Sequence, residues 1–225
     1  MAETQHQRGT QAQTVRSGVA AGQGVKERQT RERREAIQAL ENVDGTPGRD
    51  RKFQTAVRHQ FGAVELKDQL TALDQLFTQF PQLDRDRVAI WGWSNGGSMT
   101  LYAMTHSDLF KAGVSVAPVT DWHNYDSIYT ERNNGLPTDK ASTSYVDMDL
   151  PKVADKLHGS LLLVHGTSDD NVHFQNSVQM VDALIQAGKQ FRFMVYPGKT
   201  HGISGTPDRT HLFHMIEDHL VGELK

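Results

Sequence analysis

Gly92-Trp93-Ser94-Asn95-Gly96 is the segment with the clearest chemical content. A serine set between two glycines in this way fits a sharp strand-to-helix turn that lifts its hydroxyl clear of the backbone. The context agrees, because the apolar run Val88–Trp91 enters the turn and a helical pattern, Met99–Thr105, leaves it. An ordinary Gly-rich turn between a strand and a helix is the alternative. Glycine suits the flanks, because a Cβ there would clash. The helix N-terminus behind Ser94 favours developing negative charge, and the Asn95 N–H is positioned to donate to an oxyanion. Such a serine is a nucleophile for acyl transfer and needs a base, which in turn needs an orienting acid.

In folds built on this turn the chain order is Ser, then Asp or Glu, then His, each in a loop past a strand's C-terminal end. The apolar run Leu161–His165 leads into Gly166-Thr167-Ser168-Asp169-Asp170-Asn171, and Phe191–Tyr196 leads into Pro197-Gly198-Lys199-Thr200-His201. Asp169 is the better candidate for the acid and Asp170 the runner-up, since adjacent side chains point differently. A turn-forming role is the alternative for this pair. His201 is the best base among the eleven histidines. His211, His214 and His219 read as the polar face of the final helix. His211 and His214 lack the carboxylate spacing that a metal site would add. His165 ends a buried strand and reads as a hydrogen-bonded core residue, while His173 is placed where it could line the site.

A third cluster, Ala117-Pro118-Val119-Thr120-Asp121-Trp122-His123-Asn124-Tyr125-Asp126-Ser127-Ile128-Tyr129, follows the run Ala112–Val116. It emerges at the sheet edge where α/β folds bind ligands. Trp122, Tyr125 and Tyr129 offer flat apolar faces suited to a small rigid group such as a proline ring. Aromatic filling beneath the loops is the alternative.

These pieces need a frame. The four apolar runs read as buried strands. Between them lie helical stripes: Leu66, Leu70, Leu73, Phe77 and Phe80, stopped by Pro81; Val178, Val181, Leu184 and Ile185, ended by Gly188; and Phe213, Ile216, Leu220 and Leu224. Alternation of this kind predicts a mostly parallel sheet with helices on both faces. Residues 1–42 differ: they hold no aromatic residue and are crowded with Gln, Arg, Thr and Ala. They read as a polar leader, disordered except for a charged helix over 26–41. The domain boundary therefore falls at residue 43, with the catalytic domain over 43–225.

Composition narrows the chemistry. The absence of Cys excludes disulfides, thiolate catalysis and Cys-ligated zinc. A formal charge of −3 gives no basic surface for nucleic acid, and no apolar run is long enough for a membrane helix. No secretory signal is visible. No metal and no organic cofactor is implied, and the cellular compartment is not readable.

From about Asp44 onward the chain resembles the catalytic domain of the prolyl oligopeptidase group, above all its dipeptidyl peptidase IV branch. The resemblance is dense at Ile90-Trp91-Gly92-Trp93-Ser94-Asn95-Gly96-Gly97, Val116-Ala117-Pro118-Val119, Tyr125-Asp126-Ser127-Ile128-Tyr129-Thr130-Glu131-Arg132, His165-Gly166-Thr167-Ser168-Asp169-Asp170-Asn171-Val172-His173-Phe174 and His201-Gly202-Ile203. Asn95, where animal members have Tyr, is similar to bacterial members. The resemblance implies an α/β-hydrolase fold with Ser94 as nucleophile, Asp169 as acid and His201 as base. It surrounds the pocket for the residue before the scissile bond with Val119, Trp122, Tyr125, Tyr129, Asn171 and Val172, with Asn171 bonding the substrate carbonyl. Position 133 is Asn where the family commonly has Tyr. The implied activity is release of N-terminal dipeptides after Pro or Ala through an acyl-enzyme.

The resemblance also sets out departures. Family members carry a β-propeller that supplies acids for the substrate amine, and a Tyr upstream of the nucleophile that completes the oxyanion hole. Neither has a counterpart here. The expectation is a C-terminal portion of a longer enzyme, incomplete in its N-terminal strands, with Asn42–Arg49 a shortened remnant of one. An esterase and a catalytically impaired fragment are the competing expectations. A strand Val88–Trp91 left without a neighbour on one side would be an exposed edge, which predicts marginal stability or self-association; the resemblance separately implies a homodimer through the last helix and nearby loops.

Overall fold

The computed structural model describes residues 50–225. The leader assigned to 1–42, the helix expected over 26–41 and the remnant Asn42–Arg49 lie outside the described residues. Four strands, β1 (Val88–Trp93), β2 (Phe110–Val116), β3 (Ser160–Gly166) and β4 (Arg192–Tyr196), form one parallel sheet in the order β1-β2-β3-β4. Trp93 pairs with Val116, Val116 with Val164, and Gly166 with Tyr196, so all four strands end at one rim.

Seven helices complete the described residues: α1 (Arg51–Gln54), α2 (Ala63–Gln79), α3 (Asn95–His106), α4 (Ser127–Asn134), α5 (Ser144–Asp147), α6 (Gln175–Gln186) and α7 (Thr206–Glu223). Two 3₁₀ turns, Trp122–Asn124 and Leu150–Lys156, join them. The strands alternate as a two-sided sheet must. Ile90 and Leu161 enter one core with Leu66 of α2, Leu101 and Met104 of α3, and Met180 and Leu184 of α6. Trp91, Val114, Val116, Leu162 and Val164 enter another with Leu212 and Ile216 of α7. Helices thus cover both faces, as the alternating pattern predicts. Full burial of a Leu such as Leu101 removes enough apolar surface to contribute about 1.5–3 kcal/mol.

The helix limits follow local chemistry. α2 ends at Gln79 with Phe80 as its C-cap, one residue before Pro81. Gly188 takes the left-handed conformation (φ 68°) just past α6, and Lys189 N–H closes the end on Leu184 O at 2.9 Å.

The apolar stripe of α6 is rotated from its expected face. In α6, Ser177, Met180 and Leu184 are buried, while Val178 and Ile185 are 46 % and 58 % exposed. Polar anchors set this rotation. Asn176 Oδ1 accepts from Thr120 N–H at 3.0 Å, and Ser177 Oγ meets His165 Nδ1 at 2.7 Å. In α7 the expected stripe largely holds: Ile216 and Leu224 are buried and Leu220 packs against the core, while Phe213 is exposed and Leu212 and His219 are buried as well. His219 is therefore not on a polar face. Its Nε2 reaches Ser160 O at 3.1 Å, and burial holds the imidazole below its usual pKa.

Candidate active site

β1 delivers Ser94 into the turn that opens α3. A Cβ on residue 92 would lie 2.1 Å from Gly96 O, so only glycine fits there. Ser94 itself has φ 58° and ψ −123°. A non-glycine residue in this region stores on the order of 1–3 kcal/mol of strain. Flanking hydrogen bonds hold it: Ser94 N–H donates to Val116 O at 2.8 Å, and Ser98 N–H donates to Ser94 O at 3.0 Å. Ser94 occupies the N-cap position of α3, yet its side chain makes no capping bond. The hydroxyl is thus free to act elsewhere. The Asn95 N–H behind it belongs to the first turn, whose amides have no intrahelical acceptor.

Asp169 follows β3 and is buried, whereas Asp170 is exposed. Asp169 Oδ2 accepts from His201 Nδ1 at 2.8 Å and contacts His165 Nε2 at 3.2 Å. Its Oδ1 accepts from Asn171 N–H at 3.0 Å and Val172 N–H at 2.9 Å. Burial pushes the carboxyl upward, but these imidazole and amide contacts outweigh it and hold the group far below the usual carboxylate range. Asp169 is therefore ionised at any ordinary pH.

His201 follows β4. Its backbone O accepts from the Trp93 indole N–H at 2.8 Å, and Arg209 lies over the Trp93 ring at 5.0 Å. The residue preceding the serine thus anchors the loop that carries the imidazole. The Asp169–His201 hydrogen bond is closed, while no hydrogen bond joins His201 Nε2 to Ser94 Oγ. His173 is exposed and joins none of these groups.

Ser94, Asn95, Val119, Trp122, Tyr125 and Tyr129 line one small hollow. Trp122 and Tyr129 stack at 5.7 Å with 20° between planes, and Tyr125 meets both rings edge-on. Burial raises both phenols above their ordinary pKa, so both stay protonated. Tyr125 donates to Asn171 Oδ1 at 2.6 Å. Asn171 is exposed at the rim, whereas Val172 is wholly buried and packs into the core rather than lining the hollow.

Two contributors escaped the sequence reading. Phe61 meets Trp122 edge-on at 5.1 Å and Tyr129 at 6.4 Å, backing the aromatic wall from just before α2. Its signal was a lone aromatic ahead of the stripe, too slight to tie to a site 61 residues away in sequence. His165 is the buried hydrogen-bonded residue expected, but its contact with Asp169 depends on how the loop folds back. Among the described residues, no group of three or more His, Cys, Asp or Glu could hold a metal ion, and no helix is long and apolar enough to cross a membrane.

Residues 25–225 match the profile of the prolyl oligopeptidase family. The chain is 43 % identical over 178 residues to mouse prolyl endopeptidase FAP, across 78 % of this chain and 23 % of that protein. It is 42 % identical over 165 residues to cat dipeptidyl peptidase 4, across 72 % of this chain and 21 % of that protein. The crystal structure of Porphyromonas gingivalis dipeptidyl peptidase 4 superposes with a TM-score of 0.76 at 39 % identity, covering 81 % of this chain and 26 % of that one. Pyrococcus horikoshii acylaminoacyl peptidase gives 0.75 at 26 % identity, covering 82 % and 32 %. The chain spans about a quarter of the length of the curated relatives it matches.

Proposed function

Since this chain belongs to the prolyl oligopeptidase family, in its dipeptidyl peptidase 4 branch, and has the α/β-hydrolase fold of that family, we propose that it is the catalytic portion of a serine peptidase that releases N-terminal dipeptides after Pro or Ala. Residues 43–225 are taken as the catalytic domain. The observation that carries the reading is the 2.8 Å bond from His201 Nδ1–H to the buried Asp169 carboxylate, at the rim where β1 presents Ser94.

In this reading Ser94 Oγ attacks the carbonyl carbon while its proton passes to His201 Nε2. Asp169 fixes the ring so that Nε2 faces the serine, and stabilises the imidazolium. Charge on the former carbonyl oxygen is met by the Asn95 N–H and the α3 N-terminus. His201 then gives its proton to the leaving amine, leaving an acyl-enzyme. Water, deprotonated by the same imidazole, splits the ester and restores Ser94. Val119, Trp122, Tyr125 and Tyr129 take the side chain before the scissile bond, and Asn171 is the partner for the substrate carbonyl.

A second reading, an acyl-ester hydrolase, is favoured by one observation. The oxyanion donor this reading identifies is the Asn95 N–H at the start of α3, and activated esters need less such help than amides. Loss of one donor typically lowers turnover by about 10²–10³-fold. The test pairs a fluorophosphonate label with two substrates. The peptidase reading expects labelling at Ser94 and cleavage of a Gly-Pro chromogenic amide. Ester cleavage without amide cleavage selects the second reading, and a folded sample that takes no label overturns both.

A further inference from the structure

We infer that His165 is a positioning residue for the Ser94–His201–Asp169 constellation: it shares Oδ2 of Asp169 with His201 and so sets the direction and strength of that carboxylate's hold on the base. The inference rests on the catalytic reading above. His165 is wholly buried at the end of β3, four residues before Asp169. Its Nε2 lies 2.9 Å from Val172 O and 3.2 Å from Asp169 Oδ2. A carbonyl oxygen and a carboxylate oxygen only accept, so Nε2 carries a proton and is shared between them. On the other side Nδ1 sits 2.7 Å from Ser177 Oγ, whose hydroxyl can donate to it. A Ser177 hydroxyl donating to Nδ1 leaves the ring proton on Nε2, pointed at the acid. The Phe174 ring, edge-on at 5.5 Å, packs against the imidazole.

The consequence is electronic as well as steric. Asp169 receives four donors: two imidazole N–H groups on Oδ2 and two backbone N–H groups on Oδ1. Removing the one from His165 leaves more charge on the oxygen that His201 uses. That strengthens the pairing with protonated His201 and frees the carboxylate to turn.

The experiment compares wild type with His165→Gln, His165→Phe and Ser177→Ala. Glutamine keeps a donor near the Nε2 position, phenylalanine keeps the ring and loses the donor, and Ser177→Ala releases the tautomer without touching the imidazole. The readouts are the pH profile of Ser94 labelling by a fluorophosphonate and the downfield proton resonance of the His201–Asp169 bond. For His165→Phe the expected profile midpoint moves alkaline by about one pH unit, the size of one lost hydrogen bond to a charged group. Its resonance should shift, Ser177→Ala should follow in the same direction, and His165→Gln should stay near wild type. Equal slowing in all three variants with an unmoved midpoint and resonance overturns the inference and leaves His165 a packing residue. If His165→Phe fails to fold, Ser177→Ala and His165→Gln decide. If wild type takes no label, the catalytic reading fails, and the resonance still tests the shared carboxylate.

Discussion

The Trp93 indole N–H donates to the backbone oxygen of His201 at 2.8 Å, which ties the residue before the serine to the residue proposed as its base. The contact spans 108 residues of sequence and fixes the His201 loop against the end of β1. Trp93→Phe removes the donor and keeps most of the ring. The expected outcome is a fall in Ser94 labelling of about tenfold, because small misplacements of a catalytic group are costly. Stability should change by about 1 kcal/mol. Labelling kinetics beside a denaturant titration check both, and unchanged labelling would remove the tether from the account.

Ser94→Ala should abolish the label entirely. His201→Ala should slow it by at least about 10³-fold, as expected where a nucleophile and base act as a unit. Mass spectrometry of the labelled peptide reads the outcome. Labelling lost in the first variant and unaffected in the second would sink the assignment of His201.

Tyr125→Phe cuts the 2.6 Å bond to Asn171 while keeping the ring contacts with Trp122 and Tyr129. If Asn171 holds the substrate carbonyl, KM for a Gly-Pro amide should rise about fivefold with kcat changed less, a loss on the scale of one hydrogen bond. A change in kcat alone would place Tyr125 outside substrate binding.

Much of this site was legible beforehand because its signals are local. The elbow needs glycine at 92 for contact with Gly96, and the four strands announce themselves as apolar runs between turns. The rotation of α6 was not legible. Val178 and Ile185 fit an apolar stripe as well as Met180 and Leu184 do, and only the hydrogen bonds from Asn176 and Ser177 to distant residues choose between them. Nor could the sequence show His219 buried, because its partner, Ser160 O, is a backbone atom on β3.

Glu65 gives a pH prediction. It is buried in the first turn of α2, with Oε2 accepting from Gly62 N–H at 2.7 Å, and burial pushes its carboxyl up to about 7. A carboxyl whose folded pKa exceeds its unfolded one binds the extra proton in the native state. Its contribution to stability is therefore complete below pH about 4.5 and is lost as pH rises to about 7. Glu65→Gln keeps an acceptor for Gly62 and cannot ionise. It should match wild type near pH 4.5 and exceed it at pH 8 by on the order of 2 kcal/mol. Equal stabilities at pH 8 would refute the assignment.

Among the described residues β1 pairs on one side only, through β2. Its five residues Val88–Gly92 are buried and uncharged, the composition that templates further pairing when an edge is left open. Self-association is the expected outcome, read as a concentration-dependent mass in sedimentation. A single monomeric mass over a hundredfold dilution would count against it.

The twisted backbone at residue 94 has a price that can be measured. Two inactive proteins should not be equally durable: glycine at 94 accepts φ 58° without resistance, whereas alanine inherits the serine's discomfort. Ser94→Gly should melt at a higher temperature than Ser94→Ala, despite glycine's greater freedom when unfolded. The gap between the two melting points would gauge how much robustness the fold surrenders to keep one hydroxyl standing in the open.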